Sequence, residues 1–207
     1  MRPTPSAVSL IAVTLAGLGA CQADTAELAP IPWEKVAGPV GGAVLGLGAA
    51  GAFDERGAFT VSAFLDGGTV WLYYGGSDAA PEDPNCAAGI NDTHWRIGLA
   101  RSTDGVSFTR VQGAATGGAV LDIGAPGQFD SFLAYRPFVL KDGATYRMWF
   151  NGSTMPFNCP AGTLANARRI GYAESSDGVQ WTKHYDGAGP GGSVLPLGAA
   201  GEFDSQQ

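Results

Sequence analysis

One stretch occurs three times in this chain and constrains what it can fold into. Residues 41–54 read GGAVLGLGAAGAFD, residues 117–130 read GGAVLDIGAPGQFD, and residues 191–204 read GGSVLPLGAAGEFD. The pairs that close them, Phe53-Asp54, Phe129-Asp130 and Phe203-Asp204, are spaced by 76 and 74 residues. What lies between also repeats. AFTVSAFLDGGTVWLYYGGSD (58–78) aligns with AYRPFVLKDGATYRMWFNGST (134–154), and WRIGLARSTDGVSFTRV (95–111) with RRIGYAESSDGVQWTKH (168–184). A long fixed period of this kind marks an architecture built from one repeated supersecondary unit.

Each unit reads as four strands. The first, AFTVSAF or AYRPFVL, ends in the turn pair Asp66-Gly67 or Asp142-Gly143. Glycine there accepts the positive φ that a tight hairpin needs. The second, TVWLYYG or TYRMWFNG, is dense in aromatic and β-branched residues. The third, RIGLARS or RIGYAES, closes at Asp104-Gly105 or Asp177-Gly178, and the fourth is VSFTRV or VQWTKH. No long segment beyond the N-terminus has helical periodicity. Four antiparallel strands per unit at a long period predict an all-β fold, a partial β-propeller with blades at about residues 54–112 and 130–185. A β-sandwich would not predict internal copies this regular.

The phase of the repeat adds to this. IPWEKVAGPVGG (31–42) matches the end of a unit, with Trp33 where Phe108 and Trp181 fall. The pattern is an N-terminal closing strand, two whole blades and the threshold of a third. Two blades cannot close a ring, and open edges invite association. The expectation is the N-terminal part of a longer propeller, and five blades at this period need roughly 375 residues.

These quoted residues resemble the five-bladed propeller superfamily of arabinanases, xylosidases, levansucrases and invertases, and in particular the family 43 type glycosidases. The resemblance runs over residues 31–207. It implies a carbohydrate partner, a glycan or oligosaccharide; no cofactor or metal is expected. It also implies that the first strand of each blade lines a central channel, so that the residues before it meet at one funnel. Glycosidases place two carboxylates on opposite sides of the scissile bond. The related enzymes draw an Asp base, a second Asp and a Glu acid from different blades. By this resemblance Asp54 stands for the base and Asp130 for the second Asp. The other reading is that an Asp present in every blade caps a turn, and the symmetry of the repeat favours it. Neither Glu55, Glu174 nor Glu202 matches the acid by motif, so the chain alone is expected to be inactive. SSDGVQW (175–181) also resembles the sialidase Asp-box, one residue short. In either case Asp104 and Asp177 build a hairpin, and the Trp packs between blades.

Four residues near the funnel are candidate substrate contacts. Arg136 follows Tyr135 at the top of an inner strand, where the first unit has Thr60. A buried Arg there could fork onto a substrate hydroxyl or carboxylate, or pair with Asp130. His94 is a candidate ligand or acid–base group or a polar loop residue. Trp95 either stacks on a sugar ring or packs on its own blade. The loops around residues 77–95 and 153–168 exceed ordinary hairpins and contain Asn85-Cys86 and Asn158-Cys159. The two cysteines are one repeat apart, so in an oxidising compartment they are expected to form a disulfide. Two cysteines with His94 nearby are too few to argue for zinc.

The first twenty residues stand outside the fold. Arg2 precedes the short apolar run AVSLIAVTLAGLGA, a secretory signal pattern. Leu18-Gly19-Ala20-Cys21 resembles the bacterial lipobox, which implies lipidation at Cys21, a tether over residues 21–30, and a place at the outer membrane or cell surface. Contact with the membrane is then through the lipid alone. The net charge of −7 argues against a nucleic-acid partner. Two functions follow: a lipid-anchored glycoside-hydrolase-like propeller, or a propeller lipoprotein that binds carbohydrate or protein without catalysis.

Overall fold

The computed structural model describes residues 34–78, 93–154, 168–196, 198–199 and 201–204. The signal region, Cys21, the tether, Trp33, Cys86 and Cys159 lie outside the described residues. From Val36 onward the chain forms one compact unit.

Among the described residues eight strands make two four-stranded antiparallel blades. Blade 1 holds β1 (Gly57–Asp66), β2 (Thr69–Ser77), β3 (Trp95–Ser102) and β4 (Thr109–Val111). Blade 2 holds β5 (Leu133–Asp142), β6 (Thr145–Ser153), β7 (Arg169–Ser175) and β8 (Thr182–His184). A single parallel bridge, Trp95 to Leu133, joins them. No α-helix occurs among the described residues. The fold is an all-β partial propeller. Residues 34–37 carry no strand, and the segment after them folds back on itself through Gly38–Gly42 and Val40–Ala43 bridges.

Both first hairpins have two-residue loops, with Asp66 paired to Thr69 and Asp142 to Thr145. Gly67 (φ 56°) and Gly143 (φ 59°) take the positive φ that the Asp-Gly pairs anticipated. The fourth strands are half as long as the sequence suggests. Asp104 accepts the N–H groups of Val106 and Ser107, and Asp177 those of Val179 and Gln180. These Asx turns consume residues that would otherwise extend β4 and β8. The N–H of Ser107 and the Ser102 hydroxyl hold the Asp104 carboxyl well below the usual range.

The Phe-Asp loop plugs each blade. Phe53 lies over Gly76 and Gly98, and Phe129 over Gly152 and Gly171; a Cβ at any of the four would overlap the ring. Glycine is therefore required near the ends of β2 and β6 and inside β3 and β7. The Phe53 N–H donates to the carbonyl of Gly117, and that of Phe129 to Gly191. The Gly-Gly pair of one repeat thus docks on the plug of the repeat before it. Phe53 and Phe129 are 4% and 2% exposed, whereas Phe203 is 100% exposed.

The main core lies between the blades. Trp71, Tyr73 and Leu99 of blade 1 meet Val139, Tyr146, Met148 and Phe150 of blade 2. The Tyr73 hydroxyl donates to the carbonyl of Gly178 at 2.7 Å, and Trp181 stands edge-on to Tyr73 at 5.8 Å. Trp181 packs between blades, as the Asp-Gly-x-x-Trp pattern implied. At the hairpin end Lys141 pairs with Asp66 at 2.6 Å across the same seam.

Candidate functional site

Strand register defines one end of the molecule. Gly57, Ser77 and Trp95 stand in one cross-strand row, so β1 begins where the β2–β3 loop emerges. β5 begins beside the β6–β7 loop in the same way. Every sequence-predicted site residue among the described residues falls at or near this end.

Asp54 and Asp130 do not line an opening; both are 0% exposed. The Asp54 carboxylate accepts the Tyr74 hydroxyl at 2.9 Å and the Arg110 Nε and Nη2 at 2.8 and 2.7 Å. Asp130 accepts Lys183 Nζ at 2.5 Å and the Tyr185 hydroxyl at 3.2 Å. Their own backbone carbonyls accept the N–H groups of Gly48 and Gly124, closing the Phe-Asp loops. Each carboxylate ties its loop to the fourth strand of its own blade. Burial pushes the Tyr74 and Tyr185 hydroxyls upward, and the adjacent carboxylates push the same way, so both phenols stay protonated donors. Burial lowers the Lys183 ammonium, opposed by Asp130.

Arg136 corrects two expectations. It is exposed rather than buried, and Asp130 is taken by Lys183 and Tyr185, not by Arg136. Its guanidinium stands 5.3 Å from the centre of the Tyr135 ring. Its backbone is left-handed at φ 51°, and so is that of Thr60 at φ 46°. Both occupy a bulge, where the register shifts between Phe59 and Val61 and between Tyr135 and Phe138. A left-handed non-glycine residue costs about 1–3 kcal/mol, which the surrounding ladder must offset. The bulge belongs to the repeat; the side chain carried on it differs between blades.

Tyr135 and Trp95 are closed in. Trp95 lies between Phe59 at 4.2 Å and Tyr135 at 5.0 Å, edge-on to the latter. It therefore packs between blades, and neither ring offers a platform to a sugar. His94 rests against Phe132 at 4.9 Å. Burial lowers its imidazole, Arg96 acts in the same direction, and Asp78 and Asp122 oppose them; the ring is neutral at neutral pH.

Sequence reasoning missed the polar hub beside His94. Arg96, its side chain 6% exposed, donates to Asp78 at 2.5 Å and through Nε to Asp122 at 2.6 Å. Asp122 also accepts the N–H and hydroxyl of Thr116 at 3.0 and 2.7 Å. Lys183 donates to the Asp122 carbonyl, linking the hub to the Asp130 clasp. The signal was present: Asp122 stands where the other copies have Gly46 and Pro196, so it breaks the repeat. Among the described residues no cluster of three or more His, Cys, Asp or Glu could hold a metal.

No family model matches the chain. Two proteins of Mycobacterium tuberculosis, the uncharacterized proteins MT1551 and Rv1502, are each 34% identical to it over 157 residues, which is 73% of this chain and 46% of each relative. The chain spans about half the length of these curated relatives. Among solved structures it is similar to Zg3597, a family 117 glycoside hydrolase produced by Zobellia galactanivorans. That match has a TM-score of 0.54 and 18% identity, over 72% of this chain and 42% of the other. A glycosyl hydrolase from Bacteroides ovatus matches with a TM-score of 0.48 and 22% identity, over 67% and 33% of the two chains. The likeness to Zg3597 bears on the fold alone, which is a partial β-propeller.

Proposed function

We propose that this chain is the N-terminal portion of an exported, lipid-anchored propeller that binds carbohydrate, and that Asp54 and Asp130 each fasten a Phe-Asp loop to the fourth strand of its own blade rather than cleave a glycoside. The observation that carries the structural half is the clasp, made twice with a fully buried carboxylate each time. A carboxylate that attacks or activates water must reach the substrate, and a group that acts once per ring has no reason to recur in every blade. The carbohydrate half is supported by the propeller likeness to a family 117 glycoside hydrolase. Cys21 is the proposed lipid attachment point, and Cys86–Cys159 the proposed bridge between neighbouring loops.

The test is electrophoresis of the purified chain through gels containing arabinan, xylan or levan, paired with assays on aryl arabinofuranosides and xylosides. The expected result is retardation by a polysaccharide without hydrolysis. Hydrolysis that disappears in Asp54→Asn while its urea midpoint stays that of the native chain overturns the structural role, and absence of retardation overturns the carbohydrate reading. Palmitate labelling in a bacterial host, lost in Cys21→Ala, checks the anchor.

A further inference from the structure

An open cleft of about 440 Å³ lies between the connection from blade 1 to blade 2 and the outermost strand of blade 2. One wall is the segment 114–125 with Gln128, and the other runs from Val179 through β8 to Tyr185. Val120 and Leu121, 6% and 3% exposed, give it an apolar lining. The first strands of the blades, β1 and β5, contribute no residue to it among the described ones, and none of Arg136, Tyr135, His94 and Trp95 lines it. It is therefore a different place from the one the sequence singled out.

The charged groups on its walls are already answered. Asp122 holds Arg96 and Thr116, and Lys183 holds Asp130. Two amides are not. The Gln128 side-chain carbonyl accepts the Ala125 N–H at 2.6 Å, and its amide nitrogen meets no acceptor among the described residues. The Gln180 side chain is exposed and makes no hydrogen bond among them. Trp181 and Tyr185 add two half-buried aromatic rings. One repeat earlier, Gln128, Gln180, Trp181 and Tyr185 are Ala52, Ser107, Phe108 and Gln112. The backbone beneath them is the same in both copies: the Asx turn at Asp104 recurs at Asp177, and the plug at Phe53 recurs at Phe129. The fold accounts for Tyr185, which serves Asp130, and for the contact of Trp181 with Tyr73. It gives no role to the Gln180 amide or to the amide nitrogen of Gln128.

We propose that this rim cleft is a binding subsite for an uncharged unit of a saccharide chain. A sugar ring offers C–H faces and a rim of hydroxyls. Aromatic rings take the first, and amides, which both donate and accept, take the second. With Asp122 and Lys183 paired inside the protein, the cleft offers a charged ligand no counter-ion to offset its desolvation. The volume falls in the range of small-molecule sites, about 300–1,000 Å³. The inference rests on the carbohydrate reading above and gives it a place on the chain.

The test is retardation of the whole chain in gels containing arabinan, xylan, levan or polygalacturonate, with variants that install the residue blade 1 has at each place. A neutral polymer should retard the native chain most. Gln180→Ser and Gln128→Ala should each weaken that binding by about threefold to tenfold, and Trp181→Phe by at least about threefold. Ser107→Ala, at the matched place in blade 1, should leave it unchanged. Gln180 is exposed, so its variant keeps the test valid if Trp181→Phe loosens the seam with Tyr73. Retardation that the three cleft variants leave as it is overturns the subsite and leaves the carbohydrate reading standing. Stronger retardation by polygalacturonate than by every neutral polymer overturns the uncharged ligand. No retardation by any polymer overturns both readings.

Discussion

Blade 1 and blade 2 solve the same problem with different residues. Each must fasten a buried carboxylate to its fourth strand. Blade 1 uses Arg110 and Tyr74; blade 2 uses Lys183 and Tyr185. The hydroxyl comes from β2 in the first case and from the residue just after β8 in the second, while Phe150 takes the place of Tyr74. What recurs is a charge and a hydroxyl on the carboxylate, not the residues that supply them. The physical requirement is plain. A buried carboxylate must be paired and hydrogen-bonded, and it is indifferent to which strand provides the donors.

The two clasps differ in burial, and that difference sets the largest expected effect. Lys183 is nearly enclosed, with a side chain 11% exposed, whereas that of Arg110 is 34% exposed. Asp130→Ala strands the lysine without its partner and should cost about 3–5 kcal/mol in urea unfolding, the range for a broken buried pair. Asp54→Ala should cost distinctly less, because Arg110 can turn to water. Equal losses in the two variants would show that burial of the cation is not what separates the blades.

Removing the hydroxyls sharpens the same comparison. Tyr74→Phe takes a 2.9 Å bond from a charged acceptor, and such bonds contribute about 1.5–3 kcal/mol. Tyr185→Phe should cost less, since its contacts with Asp130 are 3.2 and 3.4 Å. The plugs, in contrast, should respond alike. A methyl at Gly98 or Gly171 meets the tip of Phe53 or Phe129, and overpacking of this kind costs about 1–3 kcal/mol. Thermal unfolding of Gly98→Ala and Gly171→Ala should show similar drops; a neutral result in one blade would mean that its plug can move aside.

These contrasts also explain what the sequence disclosed. The repeat, the Asp-Gly turns and the aromatic second strands were legible because each is set by local backbone chemistry within a few residues. The clasps were not, because Arg110 lies 56 residues from Asp54 and Lys183 lies 53 residues from Asp130. The expected funnel carboxylates were instead drawn inward by those distant cations. The bulge at Thr60 and Arg136 carried no signal, since no glycine marks its left-handed residue. Arg136 breaks the repeat, which spacing shows, but its exposure depends on the bulge, which spacing does not show. Symmetric positions turned out to hold the fold. The broken ones, Asp78, Asp122, Arg136 and Arg168, are where the blades differ in charge.

The smallest expected effect lies in the hub that blade 1 has and blade 2 lacks. Burial pushes the Asp122 carboxyl up, but the Thr116 hydroxyl and N–H and the Arg96 guanidinium outweigh it and hold the pKa at about 2. The folded value is below the ordinary carboxylate value of 3.8. The hub therefore contributes stability that is fully present above about pH 4 and is lost as the pH falls through about 2. The side chain is 33% exposed, so solvent screening keeps the contribution small. Urea midpoints measured from pH 5 to pH 2 should fall for the native chain and fall less steeply for Asp122→Asn. Blade 2 offers the internal control, since Arg169 is the counterpart of Arg96 one repeat later. Thr154 and Pro196, in the places of Asp78 and Asp122, do not titrate, so Arg169→Gln should leave the acid limb of the curve as it is. A shallower acid limb in Arg169→Gln would mean that a carboxylate of the chain already pairs with Arg169, and the contrast between the two blades would fail.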